Sequence, residues 1–143
     1  MIQPSTELME LMTRWYASFS SGDIDIIDEI LSRDPALLTI GTDPDEWLMG
    51  FDAIVPIYRA QIGAVGGVKI EPGHIMAFSA GDVGWVADRP LITLPDGSTI
   101  SMRATLVFYR ENGTWKMVQQ HNSVGVSNEE LVGKMLPLEV SEK

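Results

Sequence analysis

The stretch from Val83 to Val126 constrains the fold of this chain more than any other. Trp85–Arg89, Met102–Phe108 and Trp115–His121 are rich in β-branched and aromatic residues and alternate imperfectly between apolar and polar. Between them lie Pro95-Asp96-Gly97 and Glu111-Asn112-Gly113, short polar turns closed by a glycine that tolerates positive φ. The pattern predicts an antiparallel meander of three long strands with one packed face. Pairing the residues symmetrically about each turn sets Arg103 opposite Arg89 and His121, and Thr105 opposite Ala87 and Gln119. The other face then carries Asp88, Ala104 and Gln120 in one row, with Pro90, Met102 and Asn122 in the next.

The segments before the meander are helical in period. Leu8, Leu11, Met12, Trp15 and Phe19 form one apolar stripe over about Ser5–Ser20, with Ser5 as N-cap and Gly22 as the stop. Asp23 is placed to cap a second, shorter helix that buries Ile24, Ile27, Ile30 and Leu31 and ends before Pro35. A short strand over Ala36–Ile40 leads into the acidic loop Gly41–Trp47. Asp52 caps a third helix with Pro56 in its first turn, ended by Gly66-Gly67. Val68–Phe78 reads as a strand interrupted at Pro72-Gly73. Ser127-Asn128-Glu129-Glu130 has the form of a capping box for a brief last helix, and the tail from Pro137 onward is expected to be mobile. Helices first and a meander afterwards predict an α+β fold, with three helices on the concave face of a curved antiparallel sheet. Such a half-closed cone encloses a cavity, a favoured place for a small ligand.

With 143 residues the chain has the length of one domain. Its formal charge of −10 opposes broad electrostatic binding to nucleic acid or an anionic membrane. No apolar run reaches the roughly 20 residues of a membrane span, and the N-terminus lacks the pattern of a secretory signal. Cysteine is absent, which removes disulfides and thiolate metal sites and fits a cytoplasmic location. No two-histidine metal motif or cofactor fingerprint occurs, so neither a metal nor a cofactor is expected.

Ser21-Gly22-Asp23, the loop around Asp43, Gly50, Arg103-Ala104-Thr105, Gly113-Thr114-Trp115-Lys116-Met117-Val118 and His121-Asn122-Ser123 follow one another in an order that resembles a SnoaL-like member of the nuclear transport factor 2-like superfamily. The resemblance runs from about Ser5 to Ser127 and implies a single SnoaL-like domain over 1–143, with a cystatin-like, cone-shaped half barrel. It also implies a homodimer built through the sheet. The family includes polyketide cyclases, ketosteroid isomerases and dehydratases, besides domains that only bind ligands or oligomerise. By this resemblance Asp43-Pro44 stands where the isomerases place their base. Their first-helix tyrosine falls on Trp15, and Tyr16 points roughly 100° away. Their second acid falls near Thr105–Val107, where there is no carboxyl group.

Two functions therefore stand side by side: a non-catalytic small-molecule-binding or dimerisation domain, and a cofactor-free cyclase, isomerase or dehydratase acting on a small carbonyl compound. In the second, Asp43 or His121 is the acid/base. The row Arg89, Arg103 and His121 would need a negative partner, since like charges opposite one another repel. That partner is an anionic ligand, the acidic loop or a dimer mate. If the opposite face lines the cavity, Asp88, Gln120 and Asn122 are its polar groups. Trp47 is a candidate aromatic lid, and Tyr58 can point its hydroxyl inward. A small hydrophobic or anionic ligand is expected.

Overall fold

The computed structural model describes residues 1–64 and 67–133. The expected helix stop at Gly66 and the mobile tail from Pro137 lie outside them. Helix α1 (Thr6–Ser21) follows the two-residue strand β1 (Gln3–Pro4) and starts where its cap requires, with Ser5 Oγ accepting from the Leu8 N–H at 3.2 Å. Of its stripe, Leu8, Met12, Trp15 and Phe19 are buried and Leu11 is half-buried at the edge of the core, with Tyr16 buried beside them. Helix α2 (Asp25–Ile30) buries Ile26, Ile27 and Ile30, while Ile24 is exposed at its start. It ends well before Pro35. Helix α3 (Phe51–Gly63) takes Gly50, not Asp52, as its N-cap, so Pro56 falls in the second turn rather than the first.

Two strands follow α2: β2 (Leu38–Ile40) and β3 (Trp47–Met49). The second occupies part of what reads in sequence as a loop. Chain 68–78 splits at Pro72-Gly73 into β4 (Lys69–Glu71) and the start of β5 (Met76–Ala80). The meander comprises β6 (Val83–Asp88), β7 (Leu91–Thr93), β8 (Thr99–Ser101), β9 (Arg103–Glu111) and β10 (Thr114–Ser123). Helix α4 (Asn128–Val132) begins at the expected cap, Ser127 accepting from the Glu130 N–H at 3.1 Å.

These strands form a seven-stranded sheet in the order β1-β5-β6-β9-β10-β2-β3, antiparallel except where β2 runs parallel to β10. A second sheet has the order β4-β7-β8. The meander is thus two pieces. Its first hairpin leaves the main sheet at Arg89-Pro90, because a proline cannot donate to a ladder, and rejoins it at Met102, whose N–H donates to Pro90 O at 3.0 Å. Beyond that break, β7 and β8 turn about Pro95-Asp96-Gly97 and pair with β4 instead. The helices cover one face of the main sheet with a core that includes Leu8, Met12, Trp15, Ile54, Leu106 and Phe108.

The register of the second hairpin corrects the symmetric pairing. Asn112 and Gly113, both at positive φ, close it as a two-residue turn rather than a three-residue one. A bulge between Met117 and Gln119 then adds one further step. His121 therefore pairs with Thr105 instead of Arg103, Arg103 pairs with Ser123, and Asp88, Ala104 and Asn122 form one row. Beyond the bulge the two single steps cancel in facing, so Gln119 to Ser123 keep the face that alternation predicts while changing partners. Before it only one step applies, and Trp115 and Met117 turn to the buried face with Phe108.

Candidate functional site

Between the helices and the concave face lies a cavity of about 460 Å³, within the range of small-ligand sites. Each wall comes from a separate element. Helix α1 supplies Trp15, Tyr16 and Phe19, and α3 supplies Ile54, Ile57, Tyr58 and Gln61. The floor is Ala104 and Leu106 of β9 with Gln120 and Asn122 of β10, small and amide side chains that leave room above the sheet. The small sheet closes the remaining side with Ile70, Ile92 and Ile100, joined by Pro90 and Met102 at the two crossings. Thr42, Ile57, Gln61 and Pro95 are exposed as well as lining, and they mark the open mouth.

Inside the mouth formed by Thr42 and Gln61, the lining is mainly apolar, with two polar features. Tyr58 donates its hydroxyl to Gln120 Oε1, and Thr39 Oγ1 lies 3.5 Å from the same hydroxyl. Burial pushes the Tyr58 hydroxyl up to about 12; the Thr39 hydrogen bond opposes this, and the negative charge of Glu46 reinforces it. Tyr58 is therefore a neutral donor whose bond fixes the Gln120 amide. With that oxygen engaged, the Gln120 amide nitrogen is left to serve the cavity, and Asn122 adds a second amide two residues along the same face.

The second feature is Glu46. Its Oε1 accepts from the Asp43 N–H at 2.8 Å, and the side chain lies over Gly41. A Cβ on residue 41 would fall 2.5 Å from that oxygen, so glycine there is what lets the carboxylate fold back over the mouth.

Behind the cavity wall, Asp88 holds the two sheets together. Its Oδ2 accepts from the Tyr16 hydroxyl at 2.8 Å. Its Oδ1 accepts from the N–H groups of His74 at 2.7 Å, Arg89 at 2.7 Å and Gly73 at 3.1 Å. Burial, then the hydrogen bond to Asp88 and its charge, hold Tyr16 well above the ordinary tyrosine range. Gly73 approaches so closely that a Cβ there would sit 2.3 Å from the Arg89 carbonyl oxygen.

The sequence candidates divide accordingly. Tyr58, Gln120 and Asn122 line the cavity, and Asp88 touches it only through Tyr16. Asp43 does not line it: the residue is exposed, and its carboxylate accepts from the Asp45 N–H at 2.9 Å. His121 and Arg103 point away from the helices and are exposed; Arg103 Nε donates to Ser123 Oγ at 3.3 Å. Arg89 is exposed beyond the last β6–β9 pair. Trp47 is 63 % exposed on the outer face, opposite in facing to its neighbour Leu48, which lines the cavity. The expected basic row thus does not form, and water solvates its charges. Of the remaining site residues, the sequence offers Glu46 only as part of the acidic loop and gives Tyr16 no role. Alternation about Leu48 would have signalled Glu46 had β3 been legible as a strand. Among the described residues no group of three or more His, Asp or Glu side chains could hold a metal ion, and no helix is long and apolar enough to cross a membrane.

Residues 8–127 match the SnoaL-like domain family. Among solved structures the fold is shared with an NTF2-like protein of unknown function from Pseudomonas putida KT2440. That pair is 20% identical, covers 96% of this chain and 100% of the other, and has a TM-score of 0.74. A proposed dehydratase of the NTF2-like family from Streptomyces avermitilis is 18% identical, with 85% and 95% covered and a TM-score of 0.72. A protein with a cystatin-like fold from Caulobacter vibrioides is also 18% identical, with 87% and 91% covered and a TM-score of 0.70. These likenesses show the fold. No curated protein matches the chain.

Proposed function

Because the chain belongs to the SnoaL-like domain family, we propose that it binds a small, mainly apolar molecule in the cavity between helices and sheet. The observation that carries this reading is the pairing of an apolar enclosure with one polar strip, Tyr58–Gln120–Asn122, whose orientation is set by an internal hydrogen bond. Such a strip selects a ligand with a carbonyl or hydroxyl group facing the β10 amides, while the walls take up its apolar body. The cyclase, isomerase or dehydratase alternative has less support. Asp43 and His121, its acid/base candidates, lie outside the cavity, and what a similar structure is proposed to catalyse carries no residue across.

Self-association belongs to the same proposal. The outer face of the main sheet presents Trp47, Met49, Met76, Val83 and Tyr109, each more than 40 % exposed. An apolar face of this extent supports a homodimer built through the sheet. A cytoplasmic setting, in keeping with an acidic chain without cysteine, completes the reading.

The test uses Nile red, a neutral apolar dye whose fluorescence rises on leaving water. Wild-type protein is expected to bind it, and Ala104→Met or Leu106→Phe, which fill the floor, to weaken binding at least tenfold while the far-ultraviolet circular dichroism stays unchanged. Undiminished binding in both folded variants would place the dye elsewhere and remove the reading.

A further inference from the structure

The charge pattern of the lining narrows the ligand further. Among the described residues, Glu46 is the one ionisable carboxylate in the cavity wall, and no lysine, arginine or histidine lines it. The arginines expected to hold an anion point into solvent instead. An anionic ligand would bring a second negative charge beside Glu46 without a counterion, which is costly away from bulk water. The whole chain, at −10, adds to that repulsion and draws cations to the mouth.

Three separate observations show that the Glu46 carboxylate is placed rather than merely present. The Asp43 N–H fixes one oxygen, and the other receives no hydrogen bond among the described residues. Gly41 gives up its side chain to the space that the carboxylate occupies. The residue lines the cavity, and its negative charge is felt at the buried Tyr58 hydroxyl. Glu46 itself is only partly buried. A cation held there keeps part of its hydration while its apolar body lies against Trp15, Phe19 and Tyr58, an aromatic wall that tolerates an alkylammonium better than a carboxylate.

We infer that the ligand of this cavity is an apolar amine, bound as its ammonium ion with the charged nitrogen at the free oxygen of Glu46. The inference rests on the cavity's being a ligand site, and it specifies which chemistry that site selects.

The experiment compares three probes of one shape, naphthylethylamine, naphthylethanol and naphthylacetate, by calorimetry and thermal shift on the wild-type protein and on Glu46→Gln. The glutamine oxygen can still accept from the Asp43 N–H, so the loop is retained. In the wild type the amine is expected to bind about tenfold tighter than the alcohol, and the carboxylate more weakly than either. Glu46→Gln should remove the preference for amine over alcohol while leaving alcohol affinity within about twofold. Equal binding of amine and alcohol to the wild type, or an amine preference that survives Glu46→Gln, overturns the charge assignment and leaves the cavity reading standing. Failure of all three probes to bind the wild type overturns both.

Discussion

Asp88 offers the sharpest test of how the two sheets are joined. Its carboxylate is 6 % exposed and accepts from the Tyr16 hydroxyl and from three backbone N–H groups. Removing a buried acceptor leaves each donor with a penalty of about 1–3 kcal/mol. The low end applies here, because water can enter from the neighbouring cavity. Four donors at about 1 kcal/mol each give about 4 kcal/mol for Asp88→Ala. Tyr16→Phe deletes one hydroxyl and leaves the carboxylate its three N–H partners, so about 1.5 kcal/mol is expected. In Asp88→Asn the amide oxygen can keep the N–H groups and the amide nitrogen can donate to Tyr16. What is lost is the charge on the acceptor, about 2 kcal/mol. Urea unfolding at constant m-value is the assay, and a chain of this length should lose roughly 3 °C in Tm per kcal/mol. The double variant should cost no more than Asp88→Ala alone, since Tyr16 then has nothing left to lose. If Asp88→Ala proves milder than Tyr16→Phe, the backbone donors do not depend on the carboxylate and the reasoning fails.

Two of the chain's three tyrosines, Tyr16 and Tyr58, have folded-state values above the unfolded value of about 10. Folding holds both neutral, so the stability they contribute is complete below about pH 10 and is lost as pH rises toward the Tyr58 value of about 12. Tyrosinate absorbance of the native protein should therefore stay below about half of the urea-unfolded amplitude at about pH 11; a larger rise in protein that is still folded would contradict the burial argument. For the outer face, Val83→Glu with Tyr109→Glu is expected to convert a species of twice the chain mass in sedimentation equilibrium to one of chain mass. A wild-type protein that sediments as a monomer at high concentration would end the dimer proposal.

Much of the architecture was legible because it rests on local rules. The α1 stripe, the Ser5 and Ser127 caps and the interruption at Pro72-Gly73 each need only a few neighbouring residues to be read. The facing of the end of β10 was legible too, since alternation separates Gln120 and Asn122 from His121, whereas the bulge reverses it for Trp115 and Met117. Which face is covered was not, because that depends on where α1 and α3 land. The register was hidden for a different reason. A bulge of one residue at Val118 carries no local signature, and together with the two-residue Asn112-Gly113 turn it moves each partner by two residues. Strand β3 was obscured by the turn-forming residues Asp43, Pro44 and Asp45, and three residues are too few to show a period. Arg89-Pro90 was the overlooked signal: a proline inside an inferred central strand argues for the departure that the chain makes there.

That departure separates two duties within one hairpin. The strands before Arg89 and after Met102 belong to the main sheet, whose packing against the helices holds the fold together. The excursion between them forms most of a three-stranded flap that touches the ligand space but not the centre of the core. Changes in the length or composition of the tip at 94–98 would reshape the mouth while leaving the floor of Ala104, Leu106, Gln120 and Asn122 untouched. A lineage could retune what enters the cone by editing a few residues in mid-chain, at little risk to folding.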